Sequence, residues 1–157
     1  MSQPEALDLV DALQSGGVPV VIAGGHAVNF HGYLRATEDI DLIFRRGIGV
    51  DEKLFQVLQD WDAYWISDDI DLTTGLEITV PVSLDYIRSN HLLMLGTRVG
   101  YVDLFDFIPG LPDVFMDELF AKAEVSGQRC FASLEWLKKM KRAAGRPQDQ
   151  IDLEHLP

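Results

Sequence analysis

The chain has 157 residues, 47% of them apolar, which supports one hydrophobic core and is too short for two full-sized domains. A formal net charge of −12, from 25 acidic and 13 basic residues, excludes a broad nucleic-acid-binding surface. The single cysteine, Cys130, excludes an internal disulfide and fits a reducing cytoplasm; Met1 to Ala6 has no basic segment leading into an apolar one, and no run approaches a membrane span, so a cytoplasmic protein without a membrane partner is expected.

Pro4 to Gln14 reads as a first helix with Leu7, Val10 and Leu13 inward, ended by Gly16-Gly17. Val18 to Ala23 is a β-branched apolar run of the kind that forms a buried strand. It ends at Gly24-Gly25, where the backbone can turn sharply and approach a ligand closely. A helix from about Gly25 to Tyr33 would direct the free N–H groups of its first turn at a phosphate. The following strand, read from Arg35 to Phe44, alternates faces: Arg35, Thr37, Asp39 and Asp41 point one way, and Ile40, Leu42 and Phe44 point to a core. Carboxylates at i and i+2 lie roughly 6–7 Å apart at Cα and can converge on a hard cation such as Mg²⁺.

Asp51 to about Trp61 is predicted to be a helix capped by Asp51, with Leu54, Val57, Leu58 and Trp61 inward. Residues 63–90 carry no clear periodicity. Within them Asp69-Ile70-Asp71-Leu72 repeats Asp39-Ile40-Asp41-Leu42, but no strand, glycine turn and helix precede the second copy, which reads as a polar loop. His91 to Leu95 and Val99 to Ile108 flank Gly96-Thr97-Arg98 as a hairpin. Asp103 stands in an otherwise apolar interior strand, where a lone charge is costly unless a metal or hydrogen bonds compensate it, and Asp106 falls on the opposite face. Pro109 to Pro112 breaks the sheet, and Asp113 to Lys122 suits a helix.

On a wheel of the last long helix, Leu134, Leu137, Met140 and Ala144 form the apolar arc. Lys141 falls inside its edge, able to snorkel or to reach a phosphate, while Lys138, Lys139 and Arg142 lie outside on a solvated face. Phe105, Phe107, Phe115 and Phe120, with Trp61, Trp65 and Trp136, read as core. His26 and His31 read first as partly buried, hydrogen-bonded residues, although His26 at a helix start can also meet a phosphate or a base.

Gly24-Gly25-His26-Ala27, the run Arg35-x-Thr37-x-Asp39-x-Asp41, and a single later Asp103 together resemble the nucleotidyltransferase superfamily of DNA polymerase β type. The closer likeness is to a small bacterial branch with the AbiEii-type toxins. The closing segment, a helix with embedded Lys141, then Arg146-Pro147-Gln148-Asp149, then a short acidic helix, is similar too. One departure is Gly25, where many members of the wider superfamily carry serine, so a phosphate-binding hydroxyl is missing there.

The resemblance implies an α/β (α+β) minimal nucleotidyltransferase fold, a mixed sheet flanked by helices. It would form one domain over 1–157, with a core to about 110 and a helical segment over about 111–157. It implies Asp39, Asp41 and Asp103 as catalytic, metal-holding carboxylates for two Mg²⁺ ions, with Mn²⁺ as a substitute. Gly24, Gly25, His26, Arg35, Thr37 and Lys141 would be the nucleotide contacts. The implied reaction moves a nucleoside monophosphate from a nucleoside triphosphate to a hydroxyl on an RNA end, a protein or a small molecule, in a toxin–antitoxin or phage-defence setting with a protein partner. Two other readings stay open: an inactive nucleotide-binding or protein-interaction module on the same fold, and a metal-dependent phosphohydrolase, which would want histidine ligands that this pattern lacks.

Overall fold

The computed structural model describes residue 3 and residues 5–157, so Pro4, where the first helix was predicted to begin, lies outside the described residues. Among the described residues fifteen elements follow in order: α1 (Ala6–Ser15), β1 (Val20–Ala23), α2 (Gly24–Phe30), β2 (Ile40–Phe44), α3 (Val50–Asp60), β3 (Tyr64–Ile70), β4 (Glu77–Pro81), α4 (Leu84–Ser89), β5 (Leu92–Thr97), β6 (Gly100–Phe105), α5 (Asp117–Ala121), β7 (Glu124–Ser126), β8 (Arg129–Phe131), α6 (Leu134–Ala144) and α7 (Pro147–His155). Among the described residues no helix is long and apolar enough to cross a membrane.

All eight strands form one mixed sheet in the order β4-β3-β5-β6-β2-β1-β8-β7. β1 runs antiparallel to β2, whereas β2 with β6 and β1 with β8 are parallel. The central strands are covered on both faces, which explains the unbroken apolar run Val20-Val21-Ile22-Ala23. Ile22, Leu42, Phe44 and Leu104 pack under α1, α3 and α4 with Leu13, Leu54 and Ile87. Val21 and Ile43 pack on the other face against Ile108, Leu119, Trp136 and Met140. Ala27, Val28, Leu137 and Leu156 then lock α2 to α6 and α7.

Several predicted boundaries shift for identifiable reasons. The strand expected from Arg35 begins only at Ile40, because Arg35 is drawn out of any ladder. Its backbone N–H donates to Asn29 Oδ1 at 3.0 Å, and its guanidinium reaches α7. The cap of α3 is Gly49 at φ +76°, not Asp51; Asp51 sits in the first turn and accepts from Arg46 Nη1 at 2.8 Å. The helix predicted over 113–122 shrinks to α5, since the chain before it forms the Ile108–Leu111 bridge and a Val114-to-Leu111 turn bond. Phe115, expected in the core, consequently projects into solvent at 88% exposure. Within 63–90 there is a hairpin, β3–β4, followed by α4, which Ser83 caps by accepting from Tyr86 N–H. Asp69 therefore lies on an exposed strand rather than in a loop, while Asp71 holds the turn by accepting from Thr73 and Thr74 N–H.

Candidate functional site

The site grows out of the end of β1. Ala23 is the register partner of Asp41 on β2, and Asp41 is in turn the partner of Asp103 on the parallel neighbour β6. Asp39 stands two residues earlier, at the bend leading into β2. The three acidic residues chosen from the sequence thus meet at the C-terminal end of β1, above the glycine turn. Asp106, three residues beyond Asp103, faces the other way and accepts from Arg46 Nε at 2.6 Å in a structural ion pair.

The electrostatics of the three carboxylates are unfavourable as they stand. Burial first, then the charges of Asp41 and Asp39, push the Asp103 carboxyl up to about 6. Burial also raises Asp41, against the lowering pull of Lys141 and Arg146. Among the described residues none of the three makes a side-chain salt bridge, and no group of three His, Cys, Asp or Glu side chains converges as a preformed metal-ligand set. In chemistry the donor set nevertheless fits a hard divalent cation: oxygen ligands only, repelling one another, with no side-chain cation spent on them.

That repulsion makes a stability prediction. Folding raises the Asp103 pKa, so the cost of its charge is absent below the unfolded value near pH 4, grows up to about pH 6 and persists above it. Asp103→Asn is expected to stabilise the metal-free protein by about 1–2 kcal/mol at pH 7.5, the partial exposure of the group screening it, and by nothing at pH 4. Metal-free melting at both pH values checks this; a loss of stability at pH 7.5 would make Asp103 a structural hydrogen-bonding residue.

The glycine turn is shaped by its neighbours. Gly24 has φ +59°, and a Cβ there would lie 2.2 Å from Asp41 Oδ2, so only glycine lets the carboxylate sit against the turn. A Cβ on Gly25 would meet Thr37 Oγ1 at 2.4 Å and Thr37 Cβ at 2.7 Å. The Thr37 side chain therefore fills the space that a serine at position 25 would use. Gly25→Ser is expected to lower stability by about 2 kcal/mol through overpacking, with Gly25→Ser/Thr37→Gly recovering most of it. Thermal melting of both variants tests the coupling; additive losses would refute it.

Lys141 is not a free cation. It is buried in α6, and its Nζ lies 2.8 Å from Asp152 Oδ2 and 3.2 Å from Asp149 Oδ1 on α7. Arg35 clamps the same Asp152 through two bonds of 2.8 and 2.9 Å, and Arg146 Nε binds Asp149 at 2.8 Å. Burial opposes ionisation of Asp152, but hydrogen bonds from Arg35, Lys141 and Gln148 outweigh it and bring its carboxyl down to about 2. Asp149, Asp152 and Arg146 were missed as site residues. The signal available was two aspartates at i and i+3 on a short helix directly after an inward-facing lysine.

All the predicted contacts but His26 line one cleft with two lobes. A polar lobe of about 480 Å³ opens over Gly24, Gly25, Arg35, Thr37, Asp39 and Lys141. An apolar lobe of about 380 Å³ runs from Asp41 and Asp103 between Ala23, Phe105, Leu137 and Met140. His26 lines neither lobe, and burial lowers its pKa. His31 Nε2 lies 2.8 Å from the Ala132 carbonyl oxygen and ties α2 to the chain entering α6.

No protein-family model matches the chain, and no curated protein matches it. Among solved structures, it is similar to an antigenic nucleotidyltransferase-like protein from Paracoccidioides brasiliensis, with 19% identity and a TM-score of 0.51 over 93% of this chain and 70% of that one. JHP933 from Helicobacter pylori matches at 15% identity and a TM-score of 0.39, over 85% of this chain and 53% of that one, so this chain spans about half of that protein's length. The fold is nucleotidyltransferase-like.

Proposed function

We propose that the chain transfers a nucleoside monophosphate from a nucleoside triphosphate to a hydroxyl acceptor. The observation that carries this reading is the pairing of Asp41 with Asp103 on adjacent parallel strands, above a glycine turn moulded around Asp41, with no side-chain cation spent on either. Asp39, Asp41 and Asp103 would hold divalent cations; bound there, Mg²⁺ or Mn²⁺ supplies charge neutralisation for the triphosphate and a lower pKa for the attacking hydroxyl.

Gly24, Gly25 and Thr37 line the polar lobe, where the backbone N–H groups of the glycines and the Thr37 hydroxyl would contact phosphate oxygens. Lys141, its charge shared between Asp149 and Asp152, acts as a positioning residue, and the exposed Arg146 beside it supplies positive charge toward the leaving group. The acceptor oxygen attacks the α-phosphorus; the new O–P bond forms as the bond to the β-phosphate's bridging oxygen breaks, pyrophosphate leaves, and the hydroxyl proton passes to solvent. His26 has no part in this reading. A toxin–antitoxin setting, with a protein partner, is supported by the motif resemblance alone, and residues 1–157 are read as one domain.

Calorimetric titration of ATP with and without Mg²⁺ tests the nucleotide site, and incubation with α-labelled triphosphates tests transfer. Mg²⁺-dependent binding is expected. Its absence would leave only the protein-interaction module.

A further inference from the structure

The carboxylates border a second space, on the side away from Lys141 and Arg35. β3 runs antiparallel to β5, yet among the described residues the two strands are in register only at Tyr64 and Gly96, where the Tyr64 ring lies over the glycine. No further register pair joins them. The sheet opens into a crevice of about 430 Å³, a volume suited to a ring-sized ligand. Trp65 and Tyr86, stacked with centroids 5.0 Å apart, line it together with Ile66 and Tyr101. Asp39 and Asp103 stand at its border, and Met94, the register partner of Asp103, is 61% exposed there.

Three features are unexplained by the fold itself. The β3–β5 ladder is held to one register pair at the start of β3, a large apolar side chain is left in solvent beside a candidate catalytic carboxylate, and the Trp65 indole Nε1, like that of Trp136, is shut off from solvent without a hydrogen-bond partner. An unsatisfied buried donor is costly. The charge of the crevice is equally one-sided. Among the described residues that line it, Asp39 and Asp103 are the only charged ones, whereas Arg35, Lys141 and Arg146 all lie on the triphosphate side. With those two carboxylates taken up by divalent cations, no side chain lining the crevice would pair the further phosphates of a polyanion.

Resting on the nucleotidyl-transfer reading above, we infer that this crevice is the acceptor site, and that the acceptor is an uncharged or cationic ring-bearing molecule presenting a hydroxyl, not a nucleic-acid end. Its ring packs among Trp65, Ile66, Met94 and Tyr101. Its hydroxyl lies toward Asp103 and attacks the α-phosphorus with the bond changes given above.

The test uses three near-isosteric phenols as probes: tyramine (cationic), tyrosol (uncharged) and 4-hydroxyphenylacetate (anionic), each titrated calorimetrically with and without MgATP. Tyramine and tyrosol are expected to bind at least tenfold more tightly than 4-hydroxyphenylacetate, without competing with MgATP, and to take label from α-labelled ATP. A short oligoribonucleotide with a free 3′ hydroxyl is expected to take none. Met94→Ala, which shortens an exposed side chain without placing a charge beside Asp103, should weaken tyramine at least threefold and leave MgATP affinity within twofold. Equal binding of all three phenols, no binding of tyramine and tyrosol, competition with MgATP, an unaffected Met94→Ala variant, or label on the oligoribonucleotide would each overturn the inference. Loss of MgATP binding with tyramine binding intact would instead remove the transfer reading and leave the crevice as a ligand site.

Discussion

Asp41→Asn and Asp39→Asn are each expected to reduce nucleotidyl transfer by about a thousandfold or more while the protein stays folded, because charge at the centre of the reaction is the largest single contribution such a site makes. The fold should survive, since the strand's contribution to the core comes from Ile40, Leu42, Ile43 and Phe44, all at 0–1% exposure, and neither aspartate packs among them. Asp69→Asn and Asp71→Asn provide the paired control from the second copy of the tetrapeptide. Asp69 is exposed on β3, and an asparagine at 71 can still accept from Thr73 and Thr74 N–H, so both variants should keep activity within twofold. Transfer rates with an α-labelled triphosphate, beside melting curves, decide the matter. Full activity in Asp41→Asn, or inactivity in the Asp69 variant, would place the chemistry elsewhere.

Asp152→Ala is expected to produce the largest loss of stability, about 3–5 kcal/mol. Asp152 is fully buried and holds both Lys141, itself 7% exposed, and the fork of Arg35. Removing it leaves Lys141 with Asp149 alone and the Arg35 guanidinium without its carboxylate. Because folding depresses the Asp152 pKa to about 2, its stabilisation is present above the unfolded value near 4 and is lost as the pH falls toward 2, a change of roughly 2–3 kcal/mol. The wild-type protein should therefore show a steeper acid limb than the variant, in which Asp149 is still held low by Arg146. Transfer should fall as well, since Arg35 is what anchors the irregular segment carrying Thr37 and Asp39 to α7. Urea unfolding at pH 7 and at pH 3 measures both effects; a loss below 1 kcal/mol at pH 7 would show that the remaining cations redistribute onto Asp149.

What the sequence determines by itself is the part of the site encoded in contiguous, locally patterned residues. Val20 to Ala23 has to be buried on both faces, Gly24 is demanded by a turn at positive φ, and Ile40, Leu42 and Phe44 fix which way Asp41 points. Asp103 was legible because a carboxylate amid Val102 and Leu104 is expensive, and α6 because Leu134, Leu137, Met140 and Ala144 fall on one arc of a helical wheel. Short or exposed elements were not legible. β4 is an edge strand whose Ile78 is 39% exposed, α4 has six residues, and β7 and β8 have three each, too few for a period to declare itself.

Only the tertiary structure decided how the charges are distributed. Arg35 meets Asp152 across 117 residues of chain, and this contact, not strand propensity, sets where β2 begins. Lys141 was visible as an inward lysine, but its two partners depend on how α7 folds back over α6. The exchange of a side chain at 25 for Thr37, and the single register pair that joins β3 to β5, likewise depend on distances between segments that no local pattern specifies. Periodicity records which side of an element is buried. Which charge ends up beside which is settled by packing, where the cost of an unpaired buried ion selects among arrangements that the linear pattern leaves equivalent.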